Sequence, residues 1–478
     1  MNTIEKMQQI VGSENVHFGE NLAQYEIDPS GKYNGSSLAV VRPLNTKEVS
    51  AIVKLANKMK IPVIPQGGNT GLAGGCFAGT KGNTIILSLN RMNTIREVRA
   101  DGRIAIVEGG VILSTLHAAV AEYGLIFPLF FGARGSAMIG GNLATNAGGS
   151  NVLRYGNTRD LVLGIEAVMP NGDIVDLMSE LHKDNSGYNL KHLLIGSEGT
   201  LGIITAAVVK LFPKPKAYAT AMISIPDLTY ALPILNELNK ITNNCVEAFE
   251  YMPEKYFNAL CERFDDMRQP FQTPAKHGVF LEIGAMSEED AEPDETGNIP
   301  IESKVENLFG TWLESGKILD AVICKSEAQR SEMWERRERA YEVALLKGVP
   351  VACDVSVAVD KVHNFLTTVK SRVHSISPNS ETLTVSHLGD GNLHFSVWME
   401  PKTKGMGNLE DREKITEIIE ETVLELGGSF SAEHGIGLAK LPSMSRRKNP
   451  NAIEVMRSIK KALDPNNIMN PGKVIPAK

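Results

Sequence analysis

Residues 135–149 read Gly135-Ser-Ala-Met-Ile-Gly140-Gly141-Asn142-Leu-Ala-Thr145-Asn146-Ala-Gly148-Gly149. Five glycines in fifteen residues are not chosen for helix or strand stability, since each costs about 0.5–1 kcal/mol relative to alanine there. Backbone that must pass close to a ligand is a better reason for them. Two further clusters lie on either side in the chain. One is Gly67-Gly68-Asn69-Thr70-Gly71, after the strand-like run Ile61–Pro65; the other is Gly196-Ser-Glu198-Gly199-Thr-Leu-Gly202-Ile203. Consecutive small residues let backbone N–H groups converge on an anion. Each cluster alone reads more readily as a tight turn; three in one region favour a binding function.

Around the clusters, short strand and helix patterns alternate. Asn45 and Glu48 have capping-box spacing, and Val49, Ile52, Val53, Ala56 and Met59 mark one face of the helix that follows. Ile61–Pro65, Thr84–Leu89 and Ile104–Glu108 read as strands, the first suited to an edge by its prolines, and Leu113–Tyr123 reads as a helix. Further on, Ala219–Ile225 and Gly278–Ile283 read as strands, 227–240 and 302–315 as helices, and Ser326–Leu346 as one long charged helix. Glu288–Pro300 and Pro401–Gly407 are polar, Gly/Pro-containing loops. Ile4, Met7, Ile10 and Val11 predict a short N-terminal amphipathic helix. The alternation indicates a fold class of α+β or α/β. Texture divides the chain into 1–36, a glycine-rich 37–214, a more charged 215–427 and a motif-dense 428–478.

Composition narrows the function. The 478 residues suggest two to four domains. Lys and Arg number 49 against 56 Asp and Glu, a net charge of −7, so no basic excess exists for nucleic acid. Five scattered cysteines without a C-x-x-C pair suit a reducing compartment rather than thiolate–zinc chemistry. With no signal-peptide pattern and no apolar run near the ~20 residues that span a bilayer, the expectation is a cytoplasmic protein; peripheral membrane docking and a homodimer stay open. Gly389-x-Gly391 and Gly435-x-Gly437 both lack the third glycine of a dinucleotide fingerprint, and Gly79-Thr80-Lys81 has the P-loop order reversed.

Three of ten histidines fall in two glycine-flanked segments: Ser386-His387-Leu-Gly-Asp390-Gly391-Asn392-Leu-His394 and Ser431-Ala-Glu433-His434-Gly435-Ile-Gly437. If the Gly-Asp-Gly-Asn turn closes a hairpin, both imidazoles face one point. His387, His394 and Glu433 then form an open set for a divalent metal. If Glu433 and His434 sit on a strand they point to opposite faces, leaving His434 free to act as a base. The competing reading is of turn and core histidines satisfied by hydrogen bonds.

These motifs carry a resemblance. With Val41-Arg-Pro43, Pro65–Leu72, Gly140–Gly149, Arg154-Tyr155-Gly156-Asn157, Gly164–Asp176, Gly187–Ile203 and Leu463–Lys473, the chain resembles the FAD-linked D-2-hydroxy-acid dehydrogenases of the vanillyl-alcohol oxidase/p-cresol methylhydroxylase flavoprotein superfamily, in the family's order from about residue 37 to 473. The resemblance implies a two-subdomain FAD-binding domain of p-cresol methylhydroxylase type, an α+β cap with an antiparallel sheet, and a C-terminal segment that returns to the FAD domain. Pro65, Gly67, Gly68, Asn69, Thr70, Gly71 and Leu72 would hold the pyrophosphate. Gly140, Gly141, Asn142, Thr145, Gly148 and Gly149, with Glu198, Gly199, Gly202 and Ile203, would line the ribityl and isoalloxazine, with Asn470 close by. Arg154, Tyr155 and Gly156 belong to the same cofactor motifs. Some relatives attach FAD through a histidine in the loop matching 67–71; that loop has none here, so FAD is expected to be non-covalent.

The resemblance also implies that His387, His394 and Glu433 hold zinc or manganese (a set that also accommodates iron), that His434 is the base, and that Arg337, in Trp334-Glu-Arg336-Arg337-Glu338, binds the substrate carboxylate. Arg336 and Arg339 are expected as surface charges. Where the 2-hydroxyglutarate enzymes place a Lys and a Thr for a second carboxylate, this chain has Ala352 and Tyr341, which favours a small 2-hydroxy acid such as D-lactate. Lys183-Asp184-Asn185 points instead toward the 2-hydroxyglutarate group. The external electron acceptor would be a quinone, an electron-transfer flavoprotein or a cytochrome. Competing functions are a flavin-free metal-dependent hydrolase built on the His/Glu set and a non-catalytic flavin-binding subunit.

Overall fold

The computed structural model describes residues 2–20, 22–399 and 409–478, so the polar loop expected at 401–407 lies outside the described residues. Two compact units form: Met1–Gly148 with Gly156–Pro213 and Glu433–Lys478, and Gly149–Tyr155 with Lys214–Ala432.

The first unit holds two sheets. One has four strands in the order Val16–His17, Ala39–Val41, Ile85–Ser88, Val63–Gln66, the last two pairs parallel. Val63–Gln66 is the edge strand, which tolerates Pro65. The helices Thr3–Val11 and Thr46–Met59 cover one face, burying Met7, Val11, Val49, Ile52, Val53 and Ala56 against Val41, Ile85 and Leu87. Asn45 caps the second helix by accepting the Glu48 N–H. The other sheet is antiparallel, ordered Ile95–Arg99, Ile104–Glu108, Ile203–Lys210, Val162–Val168, Ile174–Leu177.

The second unit is built on a seven-stranded antiparallel sheet: Asp320–Ile323, Ala217–Ser224, His277–Ala285, Val246–Pro253, Glu381–His387, Asn392–Trp398, Val351–Ser356. Side chains alternate across its two faces. On one face Ile223, Leu281, Ile283, Phe249, Tyr251, Phe395 and Val397 pack under the helices Ala231–Ile241, Pro300–Glu314, Val362–Ile376 and Leu409–Glu425. Met222, Phe280, Ala248, Met252, Leu383 and Val385 point the other way, toward the helix Glu254–Arg263. A register shift between Val246 and Ala248 restarts the alternation, so that both Val246 and Phe249 serve the first core while Glu250 joins the second face.

The charged stretch at 326–346 is not one helix. It runs as Glu327–Glu338 and Ala340–Ala344, broken at Arg339, whose guanidinium is drawn to Asp266 and Glu335. Arg336, expected as a surface charge, is buried; it pairs with Glu332 and donates to the Arg268 carbonyl. Glu288–Ala291, expected as loop, is a helical turn capped by Ser287.

Candidate active site

The chemistry-bearing side chains of the second unit share one sheet face. In the hairpin, His387 pairs with Asn392, and Val385 with His394. The two histidines are therefore diagonal neighbours on one face, with ring centroids 5.3 Å apart and planes at 80°. The turn needs Gly391, at φ +79°, because a Cβ there would lie 1.9 Å from the Val357 carbonyl oxygen. Across the neighbouring strand, Glu250 stands directly opposite His387.

Glu250 is buried and bridges two partners. Its Oε1 lies 2.9 Å from His387 Nδ1, and its Oε2 accepts the Arg337 Nε–H at 2.7 Å. Burial pushes the Glu250 carboxyl up, but the charges and hydrogen bonds of His387 and Arg337 together outweigh it and hold the group below the ordinary glutamate value. Hydrogen-bond complementarity assigns the imidazole proton to Nδ1, since a carboxylate only accepts. His387 Nε2 then accepts from Arg337 Nη2 at 3.3 Å. Arg337 Nη1 has no partner among the described residues. On the far side of His394, Asp354 is its register partner on Val351–Ser356; Asp354 Oδ1 lies 3.9 Å from His394 Nδ1 and accepts from Asn392 at 2.8 Å. Ala352 projects on this same face, two residues before Asp354.

In the first unit, Glu433 and His434 lie in an irregular segment rather than on a strand, with His434 Nε2 3.8 Å from Glu433 Oε1. The opposite-face argument therefore does not apply to them. Positive φ at Gly435 and Gly437 breaks up extended structure there. Glu198, expected to line the cofactor, accepts the backbone N–H groups of Ile436 and Gly437, each at 2.7 Å. Burial raises its carboxyl above the usual range, partly offset by those two bonds.

The glycine clusters fit a dinucleotide-sized ligand. Among the described residues, no backbone N–H from Gly68 to Leu72 donates to the protein. A Cβ on Gly71 or Gly141 would meet no protein atom within 4 Å, so both face open space. Asn142 Nδ2 and Asn470 Oδ1 are buried polar atoms without a protein partner, an arrangement that costs stability unless something else satisfies them. Asn470 is fixed by donating to the carbonyls of Gly75 and Glu198. These residues fit FAD. Arg154 and Tyr155, from the same set of motifs, belong to the second unit, where both bind the buried Glu247 with Asn151.

Glu250 and Asp354 were not identified from the sequence. The available signal was acidic residues inside otherwise apolar strands, at Val246–Pro253 and Val351–Ser356.

Comparison with known proteins gives the same cofactor. Residues 37–178 match the FAD binding domain family, and 214–474 the FAD linked oxidases, C-terminal domain. The chain is similar to D-2-hydroxyglutarate dehydrogenase of Xanthomonas citri, 34% identical over 454 residues, covering 95% of this chain and 92% of that one. It is also similar to the mitochondrial D-2-hydroxyglutarate dehydrogenase of Bos taurus, 34% identical over 463 residues, covering 96% and 80%. The structure of p-cresol methylhydroxylase with substrate bound aligns at TM-score 0.71 and 17% identity, over 98% of this chain and 96% of the other, which fixes the fold type. No helix among the described residues is long and apolar enough to cross a membrane. A flavin-free hydrolase leaves the FAD-binding segment without a role.

Proposed function

We propose, from the premise that this chain belongs to the family of FAD-linked oxidases, that it oxidises a D-2-hydroxy acid to the 2-oxo acid. The supporting observation is the buried carboxylate of Glu250 shared by Arg337 and His387. It supplies a preset cation for a substrate carboxylate beside an oriented imidazole.

FAD, when bound, accepts two electrons and a hydrogen from C2 as hydride. Arg337 receives the substrate carboxylate through its unengaged Nη1; a planar guanidinium suits this better than an ammonium. His387, His394 and Glu433 would hold a divalent ion, zinc or manganese, which would supply Lewis-acid polarisation of the substrate hydroxyl. His387 Nδ1 faces Glu250, which orients the ring. His434 takes the hydroxyl proton as general base. Proton and hydride leave from O and C2, and the C–O bond becomes a carbonyl. FAD would be held non-covalently, with a quinone, an electron-transfer flavoprotein or a cytochrome as the external electron acceptor.

D-lactate is the favoured substrate, because Ala352 and Tyr341 offer no cation for a second carboxylate. D-2-hydroxyglutarate is the second reading, favoured by the names of the relatives in Xanthomonas and Bos. Comparing kcat/KM for the two acids with a dye acceptor separates them. A ratio of ten or more for D-lactate supports the first reading, and the reverse ratio the second.

A further inference from the structure

We propose that Glu198 is a positioning residue: its carboxylate, gripped by two consecutive backbone amides, fixes the loop that carries His434. The inference rests on the function proposed above, in which His434 is the base. The Ile436 N–H donates to Glu198 Oε1 and the Gly437 N–H to Oε2, each at 2.7 Å. Consecutive N–H groups converging on one anion form a nest, and here the anion is a side chain of the same unit. The glycines of Gly435-Ile436-Gly437 follow from this close approach. Both have positive φ, +74° and +49°. A Cβ on Gly435 would lie 2.8 Å from Glu198 Oε1, and one on Gly437 2.2 Å from the Ala73 carbonyl oxygen.

The backbone of Glu198 joins two further segments. Its N–H donates to the Ala144 carbonyl at 2.8 Å, near the end of the helix Ile139–Thr145 in the longest glycine cluster. Its carbonyl accepts from Asn470 Nδ2 at 2.8 Å, and that amide group also donates to the Gly75 carbonyl at 3.0 Å. Glu198 stands at φ +52°, a strained conformation for a residue with a side chain, which persists only where its surroundings over-determine it. Beyond the nest, the Leu438 and Ala439 N–H groups reach the Ala73 carbonyl at 2.8 and 3.0 Å, so the loop is tied on its C-terminal side as well. Glu433 and His434 lie in irregular chain, where no ladder of main-chain bonds sets the place of a side chain. Only Gly435 separates His434 from the first anchored amide. The Glu198 carboxylate therefore sets where the imidazole stands, acting through the backbone.

The test uses the full chain loaded with FAD and two variants. Glu198→Gln keeps the size but puts a donor where one acceptor stood. Glu198→Gly removes the carboxylate and relieves the positive φ rather than adding strain. Hydrogen exchange into heavy water should quicken by about tenfold or more at one of the Ile436 and Gly437 amides in the first variant and at both in the second. Anaerobic flavin reduction by the hydroxy acid should slow by about 10–100-fold at an unchanged half-saturating concentration, the mark of a displaced base rather than a damaged substrate site. FAD affinity should stay that of the unsubstituted chain. Unchanged exchange overturns the proposal. Faster exchange with an unchanged reduction rate makes the contact merely structural, and weaker FAD binding with an unchanged rate gives the carboxylate to the cofactor; either also overturns it, and all three leave the function standing. If the unsubstituted chain leaves its flavin oxidised with every D-2-hydroxy acid, the function falls and the role of Glu198 with it. If neither variant folds, exchange in the unsubstituted chain decides: protected amides at 436 and 437 support the proposal, and free-peptide rates overturn it.

Discussion

His387 and His394 meet across a hairpin with ring centroids 5.3 Å apart, close to perpendicular, on the sheet face that also carries Glu250 and Asp354. Replacing either histidine by alanine is expected to remove a metal ligand without touching the unit that holds the glycine clusters. Flavin content should stay at one per chain, while bound zinc or manganese is lost and turnover falls by about 10²–10⁴. Metal analysis alongside flavin absorbance checks both halves.

Arg337→Lys keeps the charge but not the fork. The shorter ammonium cannot hold Glu250 and a substrate carboxylate together. KM for the hydroxy acid should rise at least tenfold, with kcat falling as well because His387 loses a neighbour. Steady-state kinetics with a dye acceptor measure the split. An unchanged KM would place the carboxylate elsewhere.

The first glycine cluster contains an internal control. A Cβ at Gly68 would lie 1.9 Å from the Ser136 carbonyl oxygen, whereas one at Gly71 meets no protein atom within 4 Å. Gly68→Ala should therefore lower the melting temperature of the apoprotein as well as its FAD content. Gly71→Ala should leave the apoprotein melting temperature unchanged and weaken FAD alone. Differential scanning of apo and FAD-loaded protein separates the two.

Two histidines outside the site set an acid limit. Burial depresses both His117 and His277 to about 4, below the ordinary value of 6.5. Below pH 6.5 the unfolded chain takes up protons that the folded chain refuses, so stability rises with pH between about 4 and 6.5 and is fully present above that window. His117 stacks on Phe130 at 4.4 Å and leaves Nε2 buried without a partner; His277 meets the Tyr251 hydroxyl at 3.0 Å. The urea midpoint should drop between pH 7 and pH 5, and drop less in His117→Gln/His277→Gln.

The hairpin histidines were readable from sequence because the Gly-Asp-Gly-Asn turn sets local register, and register decides which face a side chain takes. The glycine clusters were readable because so many glycines contradict local propensity. Glu250 was not, because its pairing with His387 joins strands 137 residues apart, and no local pattern encodes which strands will be neighbours. The break at Arg339 was hidden for a similar reason: Asp266, which shares in drawing the arginine away, lies 73 residues earlier. Glu198 belonged to a glycine cluster, but its carboxylate serves Ile436 and Gly437, 238 and 239 residues onward.

His434→Ala is expected to keep FAD and metal but slow flavin reduction by about 10²–10⁴, the scale of general-base catalysis. Stopped-flow absorbance of the bound flavin, mixed anaerobically with substrate, measures it. A reduction rate equal to that of the unsubstituted chain would assign the base elsewhere.

The most direct measurement is anaerobic titration of the FAD-loaded, metal-replete protein with D-lactate, D-2-hydroxyglutarate and their L-enantiomers, followed by flavin absorbance. The account predicts bleaching by one of the D-acids, near one equivalent, with the matching 2-oxo acid formed and the L-acids inert. Flavin that stays oxidised in the presence of every D-2-hydroxy acid would contradict it.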